Sequence, residues 1–181
     1  MGADPKLIFK PVMEALFIQG VSDRATPAYR SRLVKLGINV DKLLPGYDYS
    51  VFEAGIIESV SLFPELTRAQ ALHELGRRMV NANIDANPVG KSLMPVLKIL
   101  GLTRALKRSL VRRGNENFNV VTFGAETPNS LEVLMSFVGM VPEFAQGTLH
   151  GLATALGGRG VVSHLLKSEG SAATYRLEWS H

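Results

Sequence analysis

The chain has 181 residues, is 46% hydrophobic and contains no cysteine. That length suits one well-buried core and is too short for two ordinary domains. The missing thiols exclude disulfides, thiolate nucleophiles, iron–sulfur clusters and cysteine-held zinc together. The net charge of +4 is local, because residues 86–115 hold seven lysines and arginines and no acid, leaving −3 on the remainder. No run of about 18 apolar residues suggests a membrane span, and the start "MGADPKLIFK" lacks a secretory pattern, so a cytoplasmic protein is expected.

Helical periodicity dominates up to Gly114. Pro11 opens a helix over "VMEALFIQG" that stops at Gly20. Thr26 and Pro27 read as N-cap and first turn of a second helix, with Gly37 just past its end. A third runs over "YSVFEAGIIESVSLF" from a Ser50 cap. Thr67 with Gln70 forms a capping box for a fourth, on which Leu72, Leu75, Gly76 and Met79 share one face. "PVGKSLMPVLKILG" and "TRALKRSLVRRG" give two more, parted by Gly101 and ending at Gly114 in a left-handed conformation.

Beyond Gly114 the period changes to two. "NFNVVTFGA" and "SLEVLMSFV" are strands around a Pro128–Asn129 turn, and Pro142 starts a helix that ends before Gly157–Gly158. "GVVSHLLK" and "AATYRLEWS" form a closing hairpin, in which Ala173, Tyr175, Leu177 and Trp179 face inward. The expected fold is therefore α+β, a single domain over 1–181 with about six helices in 1–114 and a β-β-α-β-β sheet unit over 115–181.

Candidate chemistry is sparse. "GKS" at Gly90–Ser92 lacks the upstream glycine of a phosphate-binding loop, since Asp85 stands there. His73, His150, His164 and His181 fall at no metal-binding spacing, so no metal site is expected. The helical wheel puts His150 beside Gln146, away from the apolar stripe, and therefore in solvent; His73 lies at the edge of its apolar face, where a structural histidine is expected. No G-x-S-x-G turn or local triad order is present, so no catalytic residue is assigned. Gly147, Gly151 and Ala155 make a smooth stripe that suits close core packing, with a homodimer contact as the alternative.

The basic segment leaves its readings open. Arg104, Lys107, Arg108 and Arg112 share one helix face opposite Leu102, Leu106 and Leu110. That face is either merely solvated, helped by the helix C-terminal dipole, or a patch for an acidic protein, a small anion, anionic lipid or nucleic acid. Nucleic acid is the less favoured partner, because no aromatic residue lies between Ala86 and Glu116 to stack on a base. Arg113 falls on the wheel between Leu102 and Leu106, which predicts a partly buried, paired anchor beside Gly114 and Asn115.

The stretches "GINVDKLLPGYDYSVFEAGI", "LFPELTRAQALHELGRRMV", "VGKSLMPVLKILGLTRAL", "RRGNENFNVV" and "YRLEW" resemble a myxobacterial paralogous domain family of unknown function. The segment from Phe144 to Trp179 is similar to the closing helix and hairpin of 4-vinyl reductase-like sensor domains, a fold shared with TRAPP small subunits and haem nitric-oxide-binding domains. Those families imply a ligand sensor or scaffold, often dimeric. Their zinc-binding or acylated cysteines are absent here, and "YRSR" at Tyr29–Arg32 does not have the spacing of the haem members' Tyr-x-Ser-x-Arg motif. Haem, zinc and acyl ligands are not carried over, and no cofactor is expected.

The resemblance thus implies a non-enzymatic regulatory or sensor-like domain binding a small apolar ligand or a protein partner. Phe52, Ile56, Phe118 and Trp179 are the candidate pocket residues, since aromatic and branched side chains from different elements must converge there. A basic-surface binder and an enzyme with a non-contiguous site are the alternatives.

Overall fold

The computed structural model describes residues 6–86, 92, 95, 99–116 and 120–180, with 112–116 described by backbone alone. Strand β1 (Leu7–Phe9) runs directly into α1 (Lys10–Glu14), with Pro11 in its first turn where a missing N–H costs nothing. Ala15–Gly20 then widens into a π-helix, so the expected single helix changes its hydrogen-bonding pitch midway. Helix α2 (Pro27–Lys35) is capped as its sequence predicts, the Tyr29 amide donating to Thr26 Oγ1 at 3.2 Å. Gly37 follows at φ +86°, a conformation that side chains with a Cβ rarely adopt.

The third helix departs from expectation at its start. Strand β2 (Gly46–Asp48) pairs antiparallel with β1, Ile8 opposite Tyr47, and the Tyr49 amide donates to the Lys6 carbonyl at 2.9 Å. That pairing fixes where the chain turns, so α3 (Tyr49–Ser59) begins after Asp48 rather than after a Ser50 cap. Three-residue strands carry too little alternation to be seen in the sequence. Buried Ser59 donates to the Gly55 carbonyl and bonds the Tyr29 hydroxyl at 2.7 Å, tying α3 to α2.

Helix α4 (Arg68–Ala86) carries its capping box intact: the Thr67 amide donates to Gln70 Oε1 at 3.0 Å and the Gln70 amide to Thr67 Oγ1 at 3.3 Å. The helix expected from Pro88 lies largely outside the described residues. Helix α5 (Leu102–Glu116) starts after Gly101, at φ +79°, and runs through Gly114 and Asn115 to Glu116. Gly114 is thus a helical residue and not the left-handed stop. Glycine is compatible with both states, and its identity alone does not choose between them.

The β-β-α-β-β order stands. Strands β3 (Val121–Thr127), β4 (Ser130–Met135), β5 (Arg159–Glu169) and β6 (Ala172–Ser180) form one antiparallel sheet in the order β3-β4-β6-β5, with α6 (Pro142–Ala155) between the two hairpins. β6 alternates as expected, burying Ala173, Tyr175, Leu177 and Trp179. The first strand begins at Val121, later than expected; Phe118 lies outside the described residues.

Apolar residues collect in two clusters. One joins α1, α2, α3 and the first half of α4, with Phe17, Phe52 and Phe144 in edge-to-face contact at about 6 Å between ring centroids. The other lies between α5, α6 and the sheet. Helices α4 and α6 separate and join the two, and they meet at glycines. A Cβ on Gly147 would collide with the His73 carbonyl, one on Gly76 with the Phe144 carbonyl, and one on Gly151 would lie 3.1 Å from the Arg77 carbonyl. The smooth stripe is core packing, with Gly147 and Gly151 set against α4. Because the obstructing atoms are backbone, Gly147→Ala is expected to destabilise the protein by about 3 kcal/mol or more in denaturant unfolding, whereas an Ala155→Gly control should cost only about 1 kcal/mol.

Candidate functional site

The ends of α4 and α6 and the segment after the π-helix enclose an open cleft of about 560 Å³. Its apolar floor is Phe63, Leu66 and Ala69, and its polar walls come from Arg24, Glu65, His73, Glu74, Arg78, Glu143 and Gln146. Most of these charges are matched. Arg24 reaches Glu65 at 2.6 Å and the Leu62 carbonyl at 3.0 Å. Arg78 bonds Asp23 at 2.6 Å, Glu74 at 2.8 Å and the Gly20 carbonyl at 3.2 Å. Both guanidiniums lie over the Phe63 ring, at 4.4 and 5.2 Å from its centroid.

The carboxylates respond accordingly. The hydrogen bond from Arg78 holds Asp23 below the ordinary aspartate range. Burial works against the charge on Glu74, but the Arg77 and Arg78 guanidiniums outweigh it and lower its pKa. Glu143 is different. Its Oε2 is buried and has no hydrogen-bond partner, the one such side-chain atom among the described residues. A buried acceptor left unmatched costs about 1–3 kcal/mol, so Glu143 is the point in the cleft where a donor would gain most.

One wall of the cleft leads to a histidine pair that sequence spacing does not reveal. His73 of α4 and His150 of α6 meet edge to face with ring centroids 5.1 Å apart. His73 Nε2 lies 3.2 Å, and His150 Nδ1 3.5 Å, from the Ser163 hydroxyl on β5. Gln146 donates to the Ser163 carbonyl at 2.6 Å. His150 is therefore half-buried, not solvated: the wheel assigns it a direction, but β5 and α4 both pack on that side. Ser163 faces inward opposite Leu177, and the two rings satisfy its hydroxyl.

This trio does not form a nucleophilic triad. Among the described residues no carboxylate hydrogen-bonds either ring, both Glu74 oxygens being held by arginines. Nor do the described residues contain a cluster of three or more metal-ligating side chains. Burial lowers the pKa of both histidines, and for His150 the neighbouring His73 and Arg77 add to the effect.

The sequence-predicted pocket residues do not converge. Phe52 and Ile56 are buried in the helical cluster, Trp179 in the sheet cluster, and Phe118 is outside the described residues. Their apolar character is used for core packing on opposite sides of α4 and α6. Of the basic face, Arg104 and Arg108 are exposed, but Lys107 is engaged by Glu126 and lies over the Phe123 ring, so it is not a free cation. The side chains of Arg112, Arg113 and Asn115 lie outside the described set. Among the described residues no helix is long and apolar enough to cross a membrane.

A second groove, of about 480 Å³, separates the start of α5 from the α6–β5 turn, with Arg104, Arg159 and Trp179 in its lining. Sequence spacing could not bring these residues together, since they come from three elements.

The lowered histidine pKa values set a pH dependence. The unfolded chain takes up protons below the ordinary value of 6.5 while the folded chain resists them. The stability these groups contribute is complete above 6.5 and is lost as the pH falls below it and through the folded values. The denaturant midpoint should drop between about pH 7.5 and about pH 5.5, and His150→Gln should flatten that slope; an unchanged slope would show that the pair stays neutral without cost.

Comparison with known proteins places the fold. The chain superposes on a point mutant of the Fe(II) unliganded H-NOX protein from K. algicida with a TM-score of 0.67 and 12% identity, covering 96% of this chain and 97% of that one. A mutant H-NOX from T. Tengcongensis gives 0.68 at 10% identity, covering 96% and 98%. An oxygen-binding H-NOX domain related to soluble guanylate cyclases gives 0.61 at 11%, covering 94% and 92%. The likeness spans both the helical part and the sheet, not the C-terminal half alone. No functionally curated protein matches the chain. The family model "Protein of unknown function (DUF2378)" matches residues 6–180, so the chain belongs to that family.

Proposed function

We propose that this protein is a non-enzymatic, sensor-like domain that binds a small molecule without haem, in the cleft between α4 and α6. The fold likeness to H-NOX domains supports a sensor role, and one observation carries the location: Glu143, whose Oε2 is buried and without a hydrogen-bond partner among the described residues, lines a cleft of ligand size. The favoured ligand presents an N–H donor to Glu143 and an apolar face to Phe63 and Leu66. The charges around it are already paired, so they frame the site without demanding a counter-ion.

Haem, named in the work on H-NOX structures of this fold, does not fit the described residues. His73 and His150 face each other and Ser163 instead of an apolar slot, and His164 lies on the outer sheet face 3.8 Å from Glu178. Residues 87–98 contain no histidine, cysteine or tyrosine. Edge-to-face aromatic packing of Phe17, Phe52 and Phe144 fills the helical core where a macrocycle would need an open plane.

Binding would be transmitted through Ser163. His73 and Gln146 line the cleft, and both bond Ser163, so displacement of either by a ligand is felt at edge strand β5. A protein partner reading that strand is the proposed output.

Native mass spectrometry of protein purified from its own source should show a retained small molecule, and Glu143→Gln should reduce its occupancy about tenfold or more. Added hemin should give no stoichiometric Soret band. A hemin spectrum abolished by His73→Ala or His150→Ala would overturn the haem-free assignment, and retention unaffected by Glu143→Gln would overturn the location.

A further inference from the structure

The second groove carries a separate site. Its walls are the first turn of α5 (Leu102, Thr103, Arg104) and the turn between α6 and β5, and its floor includes Trp179 and Pro128. The turn closes tightly because of its glycines. Gly157 sits at φ +103°, and a Cβ on Gly158 would lie 2.9 Å from the Leu102 side chain. This contact brings Arg159, the first residue of β5, into the same groove as Arg104.

The two arginines differ from those of the α4–α6 cleft in having no carboxylate partner among the described residues. Among the described residues neither forms an ion pair, although Glu126 lines the same groove. Lys107, one turn along α5, engages that carboxylate and withholds it from Arg104. Two like charges facing one concavity, with Glu126 already engaged by Lys107, create a positive field that no ion pair among the described residues relieves. The same groove is lined by Trp179, 6% exposed, and by Pro128 and Leu102.

We infer that this groove binds a small organic anion, a phosphate or carboxylate attached to a flat apolar body. The anionic head would take the planar donors of Arg104 and Arg159, and the body would lie against the Trp179 edge. A groove of about 480 Å³ matches a molecule of that size and is too small for a polymer track. The site is independent of the α4–α6 cleft, sharing no lining residue with it.

The protein contains a single tryptophan, so its indole fluorescence and indole N–H resonance report on this groove directly. Phenyl phosphate should produce a saturable change in both, weakened by added salt, while neutral benzyl alcohol produces none. Arg104→Gln and Arg159→Gln should each raise Kd about tenfold, and Arg108→Gln, exposed on the same helix but outside the groove, should change it less than about twofold. Both arginines are exposed and form no ion pair among the described residues, so the variants should unfold at the parent temperature. No saturable change with phenyl phosphate, or equal weakening by Arg108→Gln, would overturn the site. Inorganic phosphate binding as tightly as phenyl phosphate would overturn the apolar half of the ligand assignment.

Discussion

The close approach of α4 and α6 is the contact on which the remaining architecture depends. Two helices normally keep 8–10 Å between axes because side chains stand between them. Here Gly76, Gly147 and Gly151 remove those side chains, and backbone faces backbone. The compression moves Phe144 into the helical cluster while Leu149 and Leu152 reach the sheet, so one helix serves both cores. It also brings His73 against His150. A wider crossing would separate those rings and leave the Ser163 hydroxyl without its two nitrogen partners.

How much of this is readable from the sequence depends on the range of the interaction. Caps and periods are local, and Thr26, Thr67, Pro142 and the alternation of Ala173 to Trp179 appear in the structure where the residues put them. The β1–β2 ribbon is invisible because three-residue strands leave no period, and Asp48 displaces Ser50 as cap because the ribbon sets the entry point. Gly114 shows the limit of reading a breaker by identity: glycine permits a stop, and α5 continues past it.

The site was less accessible for a different reason. A helical wheel gives the direction of His150 but not what occupies that direction, and the occupant, His73, is 77 residues away in the chain. Phe52, Ile56 and Trp179 are correctly apolar and buried, yet burial alone does not tell a packed ring from a ligand-contacting one. In the sequence Arg104 stands out by its charge and Trp179 by its aromatic ring, with nothing to link the two. The glycine-rich turn that packs on Leu102 brings Arg159 into the groove that Arg104 and Trp179 also line. The fold shared with H-NOX domains therefore coexists, in this chain, with a helical core in which Phe17, Phe52 and Phe144 pack together.

Phe144 has one more consequence, and it concerns how the chain acquires its structure. The ring contacts Phe52 across 6.0 Å, and Val141 joins the same helical cluster, so that cluster lacks part of its interior until α6 has been synthesised. During translation the first four helices emerge with an apolar face uncovered, and they wait for residues more than eighty positions downstream of α3. Such distant closure slows folding relative to a simple bundle and lengthens the exposure of Phe17 and Phe52 to other nascent chains. The same glycines that let α6 dock closely thus let one helix close both cores.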